Sequence, residues 1–230
     1  MTSPFTWTLI IVGSLLFVTP MGAQDLSTYR GFRFGSDLSS IAAQTKLNSS
    51  DAKIIHRRPA LIQELEWRPR DTPGPSSVRS DSVKELLFSF YNGELFQIVV
   101  RYDRDQTEGL TDSDVIEAIS STYGLAGRPT GKAITFSTSQ VYNDSEKVIA
   151  CWENEQYSFN LYRSSYEPTF GMIIFSKRLD ILARAAVATA IRLDEQEAPQ
   201  RELAGQNAEA KKSRLAEEKA RLLNKAAFRP

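Results

Sequence analysis

The chain has 230 residues, 41% of them apolar, and balances 28 Lys and Arg against 28 Asp and Glu, with one histidine and one cysteine. A neutral chain of ordinary apolar content can pack a core, but it lacks the concentrated positive charge that binding to nucleic acid or an anionic membrane surface needs. The single Cys151 excludes an intramolecular disulfide, and one cysteine with one histidine cannot make a structural zinc site.

The first feature in chain order is a leader. Residues 1–23 carry no charged side chain, and an apolar run from Leu9 to Val18 precedes Pro20, Gly22 and Ala23. The run has the length of a signal-peptide core and falls short of the roughly 20 residues a membrane-spanning helix needs. Cleavage after Ala23 is expected, and the alternative is a retained anchor from Phe5 to Gly22. No cysteine stands at the cut to carry a lipid. Export without a disulfide framework points to a bacterial periplasmic or secreted protein.

From Tyr29 to Gly35 the chain alternates, with Phe32 and Phe34 opposed to Arg33, which predicts a half-buried strand. Ser36 or Asp37 then caps a short helix carrying Leu38, Ile41 and Ala42 on one face. Lys53–His56 and Leu61–Trp67 read as extended, with a break at Pro59. Residues 70–80 hold Pro73, Gly74 and Pro75 and read as a loop. Leu86, Phe88 and Phe90 alternate up to Asn92-Gly93, and Phe96, Ile98, Val100 and Tyr102 alternate away from it. That pair between two such runs specifies a two-residue hairpin turn of type I′.

Thr111 to Asp114 fits a capping box ahead of Val115, Ile116 and Ile119, and Gly124 closes that helix. A strand is expected at Ala133–Phe136, and a second hairpin at Val148–Trp152 and Tyr157–Tyr162. Phe170–Ser176 is apolar on both faces, as a central strand covered on both sides would be. Each half of the chain supplies a helix and three or four strands, although the halves share no residue pattern.

From Lys177 to near Glu197 a helix is expected, with Leu179, Leu182, Ala186, Ala190 and Leu193 as its apolar stripe, widened by Ile181, Val187 and Ile191. Pro199 should end or kink it. Arg201–Ala227 is rich in Ala, Glu, Lys and Arg, with Leu215 and Leu222 seven apart on a narrow apolar stripe, and reads as a solvated helix or a fraying tail, a coiled-coil partner site being the alternative. The expected organisation is a signal peptide at 1–23, an α+β domain at 24–198 and a polar helical tail at 199–230. The fold class is α+β: a mostly antiparallel sheet with short inserted helices and a C-terminal helical segment.

Few residues suggest chemistry. His56 is the only histidine available as a base, and it falls on an expected strand. Cys151, between Ala150 and Trp152, reads as a buried, inert thiol. Asp103, Asp105 and Glu108 only loosely match a calcium loop, since the required Gly and Glu positions hold Glu108 and Asp114. Glu64 and Glu66 share a strand face and make a carboxylate-dependent hydrolase the alternative function. Trp152, Tyr157, Tyr162 and Tyr166 cluster at a hairpin and its next turn, and are the candidate binding residues. No cofactor and no metal site are expected.

Gly31-Phe32-Arg33-Phe34-Gly35, the helix after it, the Asn-Gly hairpin and the helix ending Tyr123-Gly124 resemble a loose group of uncharacterised bacterial exported α+β proteins. The glycine-helix-glycine-proline cadence ending at Gly127 and Pro129 is also similar to the small lipoproteins of the outer-membrane barrel-assembly machinery. The resemblance covers Tyr29 to Pro129 and departs from those lipoproteins in lacking their lipid-bearing cysteine. It implies an envelope location and carries over no functional residues. The resulting expectation is an exported, non-enzymatic interaction protein with an envelope protein partner, no nucleic acid and no membrane span once the leader is cleaved.

Overall fold

The computed structural model describes residues 25–69, 81–129, 134–135, 145–164, 169–227 and 229. The leader, the 70–80 loop and Tyr166 lie outside the described residues. No helix among the described residues is long and apolar enough to cross a membrane.

The chain opens with a small hairpin, β1 (Thr28–Tyr29) and β2 (Phe32–Arg33). A single strand over Tyr29–Gly35 is therefore corrected to a turn and a short strand. Arg30 and Gly31 take φ of 51° and 87°, the positive values of a type I′ turn, and reverse the chain there. The alternation survives in β2, where Phe32 and Phe34 are buried and Arg33 is exposed. Helix α1 (Leu38–Thr45) follows, capped by the Asp37 carboxylate, which accepts from Ser40 N at 2.8 Å. Hydrogen bonds from Ser39 and Ser40 hold that carboxyl at a pKa of about 2.

Strands β3 (Lys53–His56), β4 (Ile62–Trp67), β5 (Val83–Tyr91) and β6 (Glu94–Tyr102) form an antiparallel meander. The turn of the β5–β6 hairpin is Asn92-Gly93, with φ of 49° and 87°, as its sequence specifies. A short helix α2 (Arg104–Thr107) comes next, and Asp103, from the weak calcium motif, serves as its cap. Helix α3 (Asp112–Tyr123) has the expected capping box, with Thr111 and Asp114 bonded reciprocally. Gly124 ends it at φ 80° and ψ −169°, a positive φ outside the left-handed helical region.

The second half repeats the plan: β7 (Ile134–Thr135), β8 (Ser145–Glu153), β9 (Tyr157–Arg163) and β10 (Phe170–Ser176). The sheet runs β3-β4-β5-β6-β10-β9-β8-β7, with β6 and β10 antiparallel neighbours at its centre. Two helix-plus-four-strand units thus meet edge to edge, in mirrored order about the β6–β10 pair. The fold is α+β, and its two halves share a strand topology without sharing a residue pattern.

One sheet face carries the main core. Leu65, Leu86, Phe88, Ile98, Phe159 and Met172 lie there under Ile41 and Ala42 of α1, Val115 of α3 and the phenylalanines of the first hairpin. The other face is covered in part by α4 (Lys177–Ala227), a single helix of 51 residues. Ile62 and Phe96 pack there against Leu179 and Ala183. The apolar stripe on α4 is Leu179, Ala183, Ala186 and Ala190, whereas Leu182 and Ile181 are exposed. Leu179, Ala186 and Ala190 are buried as expected, with Val187 and Leu193 half-buried; Ala183 joins the stripe, and Leu182, Ile181 and Ile191 turn out to solvent.

Pro199 does not end α4. Its missing N–H leaves the preceding turn short of a donor, at a typical cost of about 3 kcal/mol in a helix interior. The Arg201 guanidinium reaches back past the proline to the Asp194 carbonyl at 2.9 Å and to its carboxylate at 3.0 Å, one residue before the Glu195 carbonyl that lacks its usual donor.

Candidate functional site

The β8–β9 hairpin turns on Asn154, whose side-chain oxygen accepts from Gln156 N at 2.9 Å and Tyr157 N at 2.8 Å. This turn fixes the register that distributes the candidate aromatic residues. Trp152 is buried on the main-core face, and its indole N–H donates to the Gly124 carbonyl at 2.8 Å. It anchors the end of α3 to the sheet. Tyr157, half-buried on the same face, packs its ring 5.4 Å from Phe34.

Tyr162 lies on the opposite face. Strand alternation separates it from Tyr157, five residues earlier, because an odd offset always reverses the face. Its ring covers Gly171, where an added Cβ would stand 2.2 Å from the tyrosine Cζ. Trp152, Tyr157 and Tyr162 therefore do not share one surface. Their burial explains the aromatic density of the hairpin as packing.

Below the first turn of α4, on the face where Tyr162 lies, is a half-open groove of about 330 Å³. Val148, Cys151, Asn160, Phe175, Lys177 and Ile181 are among the residues lining it. Sequence reasoning had singled out Cys151 and Tyr162 nearby but gave no sign that Asn160, Lys177 and Asp180 converge, since they come from β9 and from the strand-to-helix junction. The polar groups at this groove engage one another. Asn160 Nδ2 donates to Ser158 Oγ at 2.9 Å, Lys177 pairs with Glu153 at 2.9 Å, and Asp180 with Arg184 at 2.7 Å. The Cys151 thiol donates to the Arg128 carbonyl at 3.4 Å, and burial pushes its pKa up, so the reactive thiolate is disfavoured.

His56 cannot serve that thiol. It stands on β3 and Cys151 on β8, six strands away in the sheet, a separation of roughly 29 Å at the usual spacing between strands. Glu64 is buried on β4, whereas Glu66 is exposed and paired with Arg68 at 2.6 Å. Arg68 and Arg101 also bracket Glu85, at 3.4 and 2.9 Å, so this part of the sheet is a ladder of ion pairs. Among the described residues, no group of three or more His, Cys, Asp or Glu is placed to hold a metal ion.

The remaining candidate is the far half of α4. Every residue from Ala198 to Ala227 is exposed, including Leu203, Leu215, Leu222 and Leu223 at 57–63%. At a rise of 1.5 Å per residue, this stretch projects about 45 Å from the sheet. The narrow stripe was legible in the sequence. The segregation of charge along it was missed, though it can be read directly: Glu195, Glu197, Glu202 and Glu209 precede Ala210, and Lys211, Lys212, Arg214, Lys219 and Lys225 follow it.

Compared with known proteins, the chain matches no family model, no curated protein and no solved structure.

Proposed function

We propose that this is an exported, non-enzymatic interaction protein of the cell envelope, in which the helix-and-sheet body carries α4 as its recognition element. The supporting observation is the exposed stretch from Ala198 to Ala227, a helix with leucines at its surface and no packing against the body. A helix gains most of its stability in proteins from burying one face. This segment, which also includes Pro199 and Gly205, has a face to offer a partner. The expected leader supports the envelope as the location.

The test is capture from a native envelope fraction. The full chain should retain a specific protein, and a chain lacking residues 199–230 should lose it while its thermal unfolding stays unchanged. Mass spectrometry of the exported chain should find Gln24 at its start. Undiminished capture by the truncated chain would defeat the assignment of α4, and an intact leader would make the protein membrane-anchored instead.

A further inference from the structure

We propose that the groove below the first turn of α4 is a binding site for a small uncharged carboxamide, a molecule that joins a flat apolar body to a primary amide. The site is separate from the far half of α4 and does not depend on the reading of that half as a recognition surface. What points to the amide is the pair Ser158 and Asn160 on β9, which line the groove and are only 5% and 7% exposed.

The orientation of the Asn160 amide is fixed by its neighbours. One end of it stands 3.4 Å from the Ile173 carbonyl and 2.9 Å from Ser158 Oγ. A carbonyl can only accept, so that end is Nδ2 and the other end is the oxygen. Asn160 Oδ1 accepts no hydrogen bond among the described residues, and it is not among the polar atoms sealed in the interior. Ser158 Oγ accepts from Asn160, which leaves its own hydrogen without an acceptor among the described residues. An acceptor and a donor therefore stand side by side on one strand face, at the floor of the groove.

A primary amide answers both groups at once: its N–H donates to Asn160 Oδ1 and its oxygen accepts from the Ser158 hydroxyl. A carboxylate only accepts, and would set an oxygen against Asn160 Oδ1. An ammonium only donates, and would leave the Ser158 hydrogen unused. The walls also argue for a neutral ligand. Lys177 pairs with Glu153 and Asp180 with Arg184, so the charges at the groove are already matched. A further charge would leave water without meeting a partner.

Pro129, Val148, Phe175 and Ile181 supply apolar surface for the body of the ligand. Ile181 is 68% exposed, and a flat ring in the groove covers part of it. The volume, about 330 Å³, lies at the lower end of the roughly 300–1,000 Å³ of small-molecule sites, which suits one ring and its amide.

Benzamide is the probe, with benzoate and N,N-dimethylbenzamide as controls, each titrated into the protein and followed by its amide chemical shifts. Benzamide should shift the signals of Ser158, Asn160 and Phe175, and the side-chain NH2 of Asn160, to saturation. The dimethyl compound keeps the ring and carbonyl but has no N–H, and it should bind about tenfold more weakly or worse, as should benzoate. Asn160→Leu, close in size but without the acceptor, should weaken benzamide about tenfold. Asn160 also bonds within the sheet, so Ile181→Ser is the second variant: it should weaken benzamide severalfold while thermal unfolding stays unchanged.

No saturable shift at these residues with benzamide would overturn the proposal. So would equal binding of all three probes, which would mean that the groove takes apolar rings without reading the amide. Benzamide binding undiminished in Ile181→Ser would place its site elsewhere and defeat the proposal as well.

Discussion

Gly171 and Tyr162 show how one pair of residues sets the local architecture. They face each other across β10 and β9, and the tyrosine ring occupies the space a side chain at 171 would need. Glycine inside a strand ordinarily weakens it, and its usual reason for being there is a close approach of this kind. Gly171→Ala should therefore destabilise the fold by about 1–3 kcal/mol, the common cost of overpacking a filled interior. Denaturant unfolding measures it, and in a Tyr162→Leu background the same alanine should be nearly neutral. Equal costs in both backgrounds would mean the ring is not what excludes a side chain. Trp152 belongs to the same scale: its indole N–H is committed to the end of α3, so an aromatic residue that looked like a binding group is a structural tie.

Among the elements, α4 divides into two regimes. Its first turns dock through one leucine and three alanines. Burial of the leucine contributes roughly 1.5–3 kcal/mol, and each methyl about 0.8 kcal/mol at most. That modest anchor tolerates little crowding. Ala183, fully buried against Ile62 and Phe96, should lose about 1–3 kcal/mol on substitution by leucine. Ile181→Ser, at a residue 68% exposed, should change stability by less than about 0.5 kcal/mol. Thermal unfolding of the two variants distinguishes the stripe the structure shows from the leucine-rich stripe that spacing alone suggests. Beyond Pro199 the helix contributes nothing to the body's core, and its value lies in what it can meet.

For the whole molecule, the mirrored strand order makes the β6–β10 pair the seam between two similar units. These strands and their neighbours β5 and β9 hold the largest fully buried side chains, among them Phe88, Phe96, Phe159 and Met172. Native-state hydrogen exchange should be slowest on these four strands and faster on β3, an edge strand whose residues are exposed or half-buried. Independent opening of the two units, seen as two separate sets of protected amides with different free energies, would show that the seam does not couple them.

Much of this architecture was legible because its signals are local. The type I′ turn at Asn92-Gly93, the capping box from Thr111 to Asp114, the period-2 alternation of β5 and β6 and the doubly apolar β10 each arise from backbone preferences or burial within a short window. Charge segregation along α4 is equally local and equally readable. What depends on residues distant in sequence was not available: which side chains of α4 face the sheet, the separation of Tyr157 from Tyr162 onto opposite faces, and the convergence of Cys151, Asn160 and Lys177 on one groove. The sequence alone determined the class of fold, the strands of the large sheet and the caps of α1 and α3. Only the tertiary structure decided that the two halves are mirrored about β6 and β10, that the hairpin aromatics Trp152, Tyr157 and Tyr162 divide between the two sheet faces, and that Ala183 rather than Leu182 meets the sheet, because register, facing and cover are properties of the assembled sheet.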